Sequence, residues 1–190
     1  MQNAEATRER ILDAALAEFA TYGVAGARVD RIAKTAGCNK NLIYIYFENK
    51  ETLFATVLQK NLSQVYEDLP FTPADLPGFA ARVFDFTEEH PDIMRLLAWS
   101  TLEQTAVSPN RSTTHDAKIA AVEKEQKEGT VSTQFSAPFL MMSVMALASA
   151  WSAALPYGSA LDPHPSPAVS ELRDSISRTV ALLVNTPPKH

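Results

Sequence analysis

Three consecutive side chains near the amino terminus have the residue types that recognise the edges of DNA bases. Lys40, Asn41 and Leu42 directly follow a glycine-containing turn, Gly37-Cys38-Asn39. At the start of a helix that enters the major groove, lysine can donate to guanine, asparagine can pair with an adenine edge, and leucine can contact a thymine methyl group. We therefore predict that these three residues read bases.

Four further side chains around this cluster suit contacts with the phosphate backbone. Tyr44 and Tyr46 belong to the same segment, Lys50 follows it, and Arg28 begins the short segment 28–36 that precedes the turn. Phosphate contacts fix the position of a protein on a duplex without reading its sequence. Tyr44, Tyr46, Lys50 and Arg28 are therefore predicted to hold phosphates.

The surrounding pattern predicts a helix-turn-helix that positions both sets. A short helix over 28–36 is followed by the turn, and Asn39 is a favourable N-cap for a recognition helix over 40–46. Ile43 and Phe47 are spaced by one helical turn and should face inward. The motif covers about residues 28–47, and a preceding helix over 4–22, expected to end before Gly23, completes a DNA-binding domain at 1–48.

The rest of the chain also reads as helix. All twelve prolines occur at or after Pro70, apolar residues recur at helical spacing, and no strand period is present. Helices are predicted at about 50–68, 75–89, 91–103, 136–155 and 167–185. One further helix precedes the segment 136–155 and ends near residue 128. The fold class is thus all-α with about nine helices. We predict a regulatory domain at 49–190, with the helix at 50–68 as its connection to the first domain.

Aromatic and methionine side chains are numerous behind Pro70. They can fill a helical core, or they can line a cavity for an apolar ligand, because such side chains adapt to irregular shapes. The residues alone leave both readings open. The candidates for ligand binding are Phe84, Met94, Trp99, Met142 and Met145.

Two predicted helices have features of a subunit interface. The helix at 136–155 carries small residues that allow close approach, and the last helix carries an apolar stripe at three- and four-residue spacing. We predict a dimer interface that comprises Ala146, Ala150, Ala153, Leu172, Ile176, Val180 and Leu183.

Charge and cysteine content are compatible with an intracellular regulator. The formal net charge is -5, but residues 1–50 hold more basic than acidic side chains, so the negative charge lies behind them. The single cysteine, Cys38, has no partner for an intramolecular disulfide, and the amino-terminal residues lack the pattern of a signal peptide. We expect a cytoplasmic protein. Cys38 is interpreted as a packed apolar residue, with a redox switch as the less favoured alternative.

Several function classes have no support in the sequence. The apolar stretch 137–155 is long enough for a membrane helix, but its small residues and its lack of flanking basic anchors favour burial against other helices. The four histidines are not paired at metal-binding spacing, and motifs for nucleophiles or phosphate loops are absent. No catalytic residue, metal or cofactor is therefore predicted, and the protein is not expected to be an enzyme.

Five short groups of residues follow one another in a characteristic order and spacing, namely Ile32-Ala33, Ala36-Gly37, Ile43-Tyr44, Phe47 and Lys50-Glu51. Through these residues the segment from Thr7 to Leu58 resembles the amino-terminal domain of TetR-family transcriptional regulators. The chain departs from the family where Ala27 and Arg28 replace the usual Thr or Ser before the second helix. Cys38 and Asn39 replace the usual valine and serine of the turn.

The resemblance implies a homodimer that binds palindromic double-stranded DNA. It places Lys40, Asn41 and Leu42 at base-reading positions and Tyr44, Tyr46 and Lys50 at phosphate-contacting positions. It also implies a carboxy-terminal helical domain that dimerises and binds a small effector, expected to be apolar or aromatic, which relieves repression. The alternative is a helical protein-interaction adaptor that has lost DNA binding.

Overall fold

The computed structural model describes residues 2–103, 110–152, 154–155 and 169–185. Over these residues it contains nine α-helices and no β-strand, which confirms the predicted fold class. The helices are α1 (Gln2–Gly26), α2 (Val29–Ala36), α3 (Lys40–Phe47), α4 (Lys50–Asp68), α5 (Leu76–Glu89), α6 (Pro91–Leu102), α7 (Asn110–Glu128), α8 (Ala137–Ser149) and α9 (Val169–Val184).

Two helix ends differ from the prediction by more than two residues. Gly23 interrupts the first helix with a non-helical conformation (φ 67°, ψ -178°), in keeping with the predicted end, but a short helical turn over Val24–Gly26 follows the kink. Helix α8 ends at Ser149, so it is shorter than the predicted segment 136–155. The nearby Ala153 lies outside the described residues.

Helices α1, α2, α3, α4 and α6 form the first of two compact units. Its centre is a continuous apolar cluster in which the rings of Phe19 and Phe54 meet edge to face at 5.1 Å between centroids. Leu96 of α6 is fully buried in the same cluster. Helix α6 is therefore part of the core that supports the helix-turn-helix. The predicted boundary between a DNA-binding domain at 1–48 and a regulatory domain at 49–190 concerns function and stays a prediction.

Helices α5, α7, α8 and α9 form the second unit. Helix α5 packs against both α8 and α9. Its apolar face is buried together with residues of its neighbours, and Asp85 of α5 accepts hydrogen bonds at 2.8 Å from Nε of Arg173 on α9. The largest side chains of this core are Phe79, Phe84, Leu76 and Leu140.

The apolar stretch that contains α8 is the segment whose length raised the question of a membrane-spanning helix. Among the helices of the described residues, none has both the length and the apolar character that crossing a membrane requires.

Candidate nucleic-acid interface

The turn between α2 and α3 is built by local hydrogen bonds. Gly37 has a left-handed conformation (φ 64°, ψ 39°), and its amide and that of Cys38 donate to the last carbonyls of α2, on Lys34 and Ala33. Asn39 then caps α3, because its side-chain oxygen accepts from the amide of Asn41 at 2.8 Å. Both features follow from the residue types, since glycine favours the left-handed helix end and asparagine the N-cap.

Helix α3 divides into an inner and an outer face as predicted. Ile43 and Phe47 are each only 2% exposed and lie in the apolar cluster of the first unit. Asn41, Tyr44 and Ile45 are exposed, with 75% of Ile45 accessible. The outer face of α3 thus presents an amide, a phenol and an aliphatic side chain. The buried side chains of Ile43 and Phe47 fix the orientation of the helix.

Three of the predicted DNA contacts are engaged within the chain. Nζ of Lys40 pairs with the carboxylate of Asp30, and the hydroxyl of Tyr46 donates to the carbonyl of Ala4 at 3.2 Å. Lys50 donates to the carbonyls of Ala25 and Ala27 at 3.4 and 3.3 Å. Tyr46 and Lys50 therefore brace α1 in the free protein, and their predicted phosphate contacts stay predictions. Leu42 is half-buried, whereas Arg28 is exposed.

The start of α2 is capped by a residue that sequence reasoning missed. Arg28 occupies the N-cap but offers no side-chain hydrogen bond to the helix. Instead, Oε1 of Glu18 on α1 accepts from the amide of Arg28 and from Nε of Arg31, both at 2.8 Å. The Arg31 guanidinium also lies over the ring of Tyr22 at 4.1 Å. Glu18 thus satisfies the N-cap amide of α2 from outside the helix, whereas the Thr or Ser side chain that would accept from the next amides is missing here.

A signal for this role was present in the sequence. Glu18 follows Ile11 and Ala15 at helical spacing, so a carboxylate occurs on the apolar face of α1, where an unpaired charge would be costly. Glu18 is 9% exposed. Burial acts to raise its pKa, but the hydrogen bonds from Arg31 and the Arg28 amide, with the nearby positive charges, bring the pKa below its usual value.

Replacing Glu18 with glutamine should lower the free energy of unfolding by about 1–2 kcal/mol at neutral pH, because the variant loses a charged cap and an ion-pair partner of Arg31. Since the folded-state pKa is depressed, this contribution is present above the unfolded pKa and disappears as pH falls through the folded one. Urea unfolding of both proteins at several pH values measures the difference.

The matched control for this prediction is Glu5→Gln. Glu5 lies on the same helix but is 70% exposed, and it pairs with Arg8 only at 3.8 Å. Its replacement should change stability little. An equal loss in both variants, or a loss at Glu18 that persists unchanged into acid, would contradict the assignment.

Helix α6 is fastened to the kink of α1. The carboxylate of Glu103, directly after α6, accepts from the amides of Val24 and Ala25 at 3.1 and 3.4 Å. One turn earlier, Nε1 of Trp99 donates to the carbonyl of Ala20 at 3.2 Å. The kink at Gly23 exposes these backbone groups, and α6 supplies partners for them.

The five predicted ligand-binding residues are not brought together within either unit. Phe84 is fully buried in the second unit, whereas Met94 and Trp99 belong to α6 of the first unit. Met142 and Met145 are 70% and 41% exposed on α8. The placement of these two methionines argues against a position inside a cavity of the chain.

The predicted dimer residues also separate into two groups. Ile176 and Val180 are buried within the second unit, on the side of α9 that packs inward, so they are not accessible to another subunit. Ala146 is exposed, Ala150, Leu172 and Leu183 are half-buried, and Ala153 lies outside the described residues. Accessible apolar side chains are found on α8, where Phe139, Met142 and Met145 share one side with Ala146, and on α9, where Leu182 is 81% exposed.

The remaining candidate chemistry gives no further site. Cys38 is half-buried and packs against the apolar cluster of the first unit, in keeping with the packed interpretation. In the part of the chain that the structure describes, no group of three histidine, cysteine, aspartate or glutamate side chains is arranged to hold a metal ion.

Comparison with known proteins agrees with this geometry. Residues 11–57 match the family described as bacterial regulatory proteins of the tetR family, and residues 75–181 match the tetracycline repressor-like carboxy-terminal domain. The chain is 39% identical to the transcriptional repressor SCO4008 of Streptomyces coelicolor, over 95% of this chain and 96% of that protein.

Two further relatives differ in how much of the chain they cover. The repressor NicS of Pseudomonas putida is 34% identical over 54% of this chain and 52% of its own length. The crystal structure of the regulator SCO4942 from Streptomyces coelicolor superposes with a TM-score of 0.85 at 34% identity, over 95% of this chain and 99% of that one. The protein is therefore a member of the TetR family of DNA-binding transcriptional regulators, which are not enzymes.

Proposed function

We propose that this protein is a repressor that binds a palindromic operator as a homodimer and leaves it when a small apolar or aromatic molecule binds its second unit. The observation that carries the proposal is the outer face of α3. There Asn41, Tyr44 and Ile45 are exposed on a helix that Asn39 caps and that Ile43 and Phe47 anchor. A preordered helix of this kind can enter the major groove without a folding cost.

The exposed side of α8 supports dimerisation. Phe139, Met142 and Met145 are large apolar side chains, and 52%, 70% and 41% of them respectively are accessible. An apolar surface of this kind on one helix marks an interaction site, and a two-fold axis would bring the same surface of two copies together. Two recognition helices spaced by about 34–36 Å would then fit successive major grooves of a palindrome.

The second unit supports an apolar or aromatic effector. Its interior is rich in aromatic rings, and Phe71 and Phe79 meet edge to face at 5.0 Å. The Lys118 ammonium lies 5.4 and 5.2 Å from the centroids of these rings, and burial lowers its pKa. If the DNA-binding conformer outnumbers the released one by 99 to 1, an effector that inverts this ratio must bind the released conformer more strongly by about 5.5 kcal/mol.

Selection of DNA from a randomised pool tests the proposal. The full-length protein should enrich a duplex with two inverted half-sites, and footprinting should show protection on one face of the DNA. Affinity should fall steeply as salt rises, because phosphate contacts release counterions. Enrichment of no sequence, with binding to a protein partner instead, would favour the adaptor alternative.

Replacing Asn41 with alanine should erode base preference. The variant should lose about tenfold in affinity for the selected duplex, because one bidentate contact contributes about 1–3 kcal/mol of discrimination. Affinity for a duplex of scrambled sequence should stay unchanged. Titration of both duplexes with both proteins measures the effect, and an equal loss on both would show that Asn41 does not read a base.

A further inference from the structure

The one basic side chain of α3 is held by an acidic residue of α2. Nζ of Lys40 lies 3.0 Å from Oδ1 and 3.0 Å from Oδ2 of Asp30. The hydrogen bond that the Lys40 ammonium donates to Asp30 raises the pKa of Lys40, and the negative charge of Asp30 adds to this effect. The base-reading candidate thus carries its own counter-charge on the surface proposed to face DNA.

This ion pair is unlike the buried one in the same unit. Glu18 is 9% exposed and caps a helix, whereas Asp30 and Lys40 have 73% and 43% of their side chains accessible. Exposed ion pairs contribute little to folding. Asp30 also lies in the first turn of α2, where a carboxylate stabilises the helix by less than about 1 kcal/mol, so it can be changed without expected loss of the fold.

The chemistry of DNA supplies a functional explanation for the position of Asp30. A lysine ammonium has three donors, so at least one stays available when two point at Asp30. A phosphate carries a full negative charge that the Asp30 carboxylate repels, whereas O6 and N7 of guanine are uncharged acceptors. Asp30 therefore opposes the binding of Lys40 to phosphate more strongly than its binding to a base edge.

We propose that Asp30 is a specificity-determining residue, which withholds Lys40 from phosphates and so weakens binding to non-cognate DNA more than binding to the operator. The inference rests on the proposed role of Lys40 as a base reader. Specificity can come from better contacts with the correct partner or from repulsion of the wrong one. Asp30 acts by the second route, because its charge disfavours non-cognate DNA.

The test compares Asp30→Asn with the wild type on two duplexes of equal length and composition. One is the duplex that the wild-type protein enriches from a randomised pool, and the other has the same bases in scrambled order. The variant should bind the scrambled duplex about threefold to fivefold tighter, with a salt slope steeper by about one. Affinity for the enriched duplex should rise less or fall, so that the ratio between the two drops.

A second variant shows whether Asp30 acts through Lys40. In the Lys40→Ala background, the change Asp30→Asn should have a clearly smaller effect on the scrambled duplex, because the side chain that it releases is absent. An undiminished effect there, or an equal change on both duplexes, would overturn the inference and leave the proposed function intact. A wild-type protein that enriches no sequence would overturn both.

Discussion

Replacing Met142 with glutamate should convert the protein to monomers and weaken its binding to the enriched duplex by at least about 100-fold. Met142 is 70% exposed on the apolar side of α8, with Phe139 and Met145 as neighbours on that side. In an interface with two-fold symmetry, one substitution places a charge in both copies of the same apolar surface. The charges would have to be desolvated there, which opposes association.

The loss of DNA affinity follows from the loss of the second recognition helix. Two linked binding modules gain about 10²–10⁴ in affinity over one, and a monomer forfeits that gain. Analytical ultracentrifugation gives the oligomeric state, and titration of the enriched duplex gives the affinity.

Ala120→Glu provides a matched control. Ala120 is an exposed residue of α7 in the same unit, so the substitution adds the same charge to a helix surface that is not proposed to associate. This variant should stay dimeric with unchanged affinity. A Met142→Glu protein that remains a dimer would place the subunit interface elsewhere.

Replacing Gly23 with alanine should lower the free energy of unfolding by about 3 kcal/mol, the second large effect. Its backbone angles (φ 67°, ψ -178°) lie in a region open essentially to glycine alone, where another residue costs about 1–3 kcal/mol. An added Cβ would also lie 2.5 Å from Oε1 of Glu103 and 2.9 Å from the ring of Trp99. The carboxylate would have to move and leave the amides of Val24 and Ala25 without their acceptor.

Gly37→Ala serves as the reference for a positive φ in the ordinary left-handed region, without the backbone region or the contacts that are particular to Gly23. Gly37 also has a positive φ (64°), but an added Cβ there meets no atom within 4 Å. Its replacement should cost about 1–2 kcal/mol, which is the cost of the left-handed conformation alone. Denaturant unfolding of both full-length variants tests the comparison. Equal losses at Gly23 and Gly37 would show that neither the backbone region of Gly23 nor its contacts with Glu103 and Trp99 add to the cost of alanine.

The helix-turn-helix could be predicted almost residue by residue because its signals are local. Gly37 ends α2 and Asn39 caps α3 through bonds to neighbours in the chain, so the residue types alone mark both positions. The spacing of Ile43 and Phe47 likewise reports which side of α3 is buried.

Contacts between residues distant in the chain could not be predicted in the same way. The sequence predicts a phosphate contact for Lys50 both from its residue type and by resemblance, but its donation to Ala25 and Ala27 depends on how α1 bends at Gly23. Helix α8 shows a different limit. Its buried Leu140 and exposed Met142 are both apolar, so hydrophobicity does not report which side faces inward. Only the packing against α5 and α7 decides it.

The membership of α6 in the first unit limits how this protein can be taken apart or recombined. The chain completes α4, leaves to form α5, and returns with α6 to place Leu96 in the first core and Glu103 on the kink of α1. A fragment that ends after α4 would therefore lack part of its own interior. An exchange of the whole first unit between relatives must therefore transfer two separate stretches of sequence, the one up to α4 and the one that holds α6. An exchange of DNA specificity alone can instead alter the surface of α2 and α3 and keep the core of the unit unchanged.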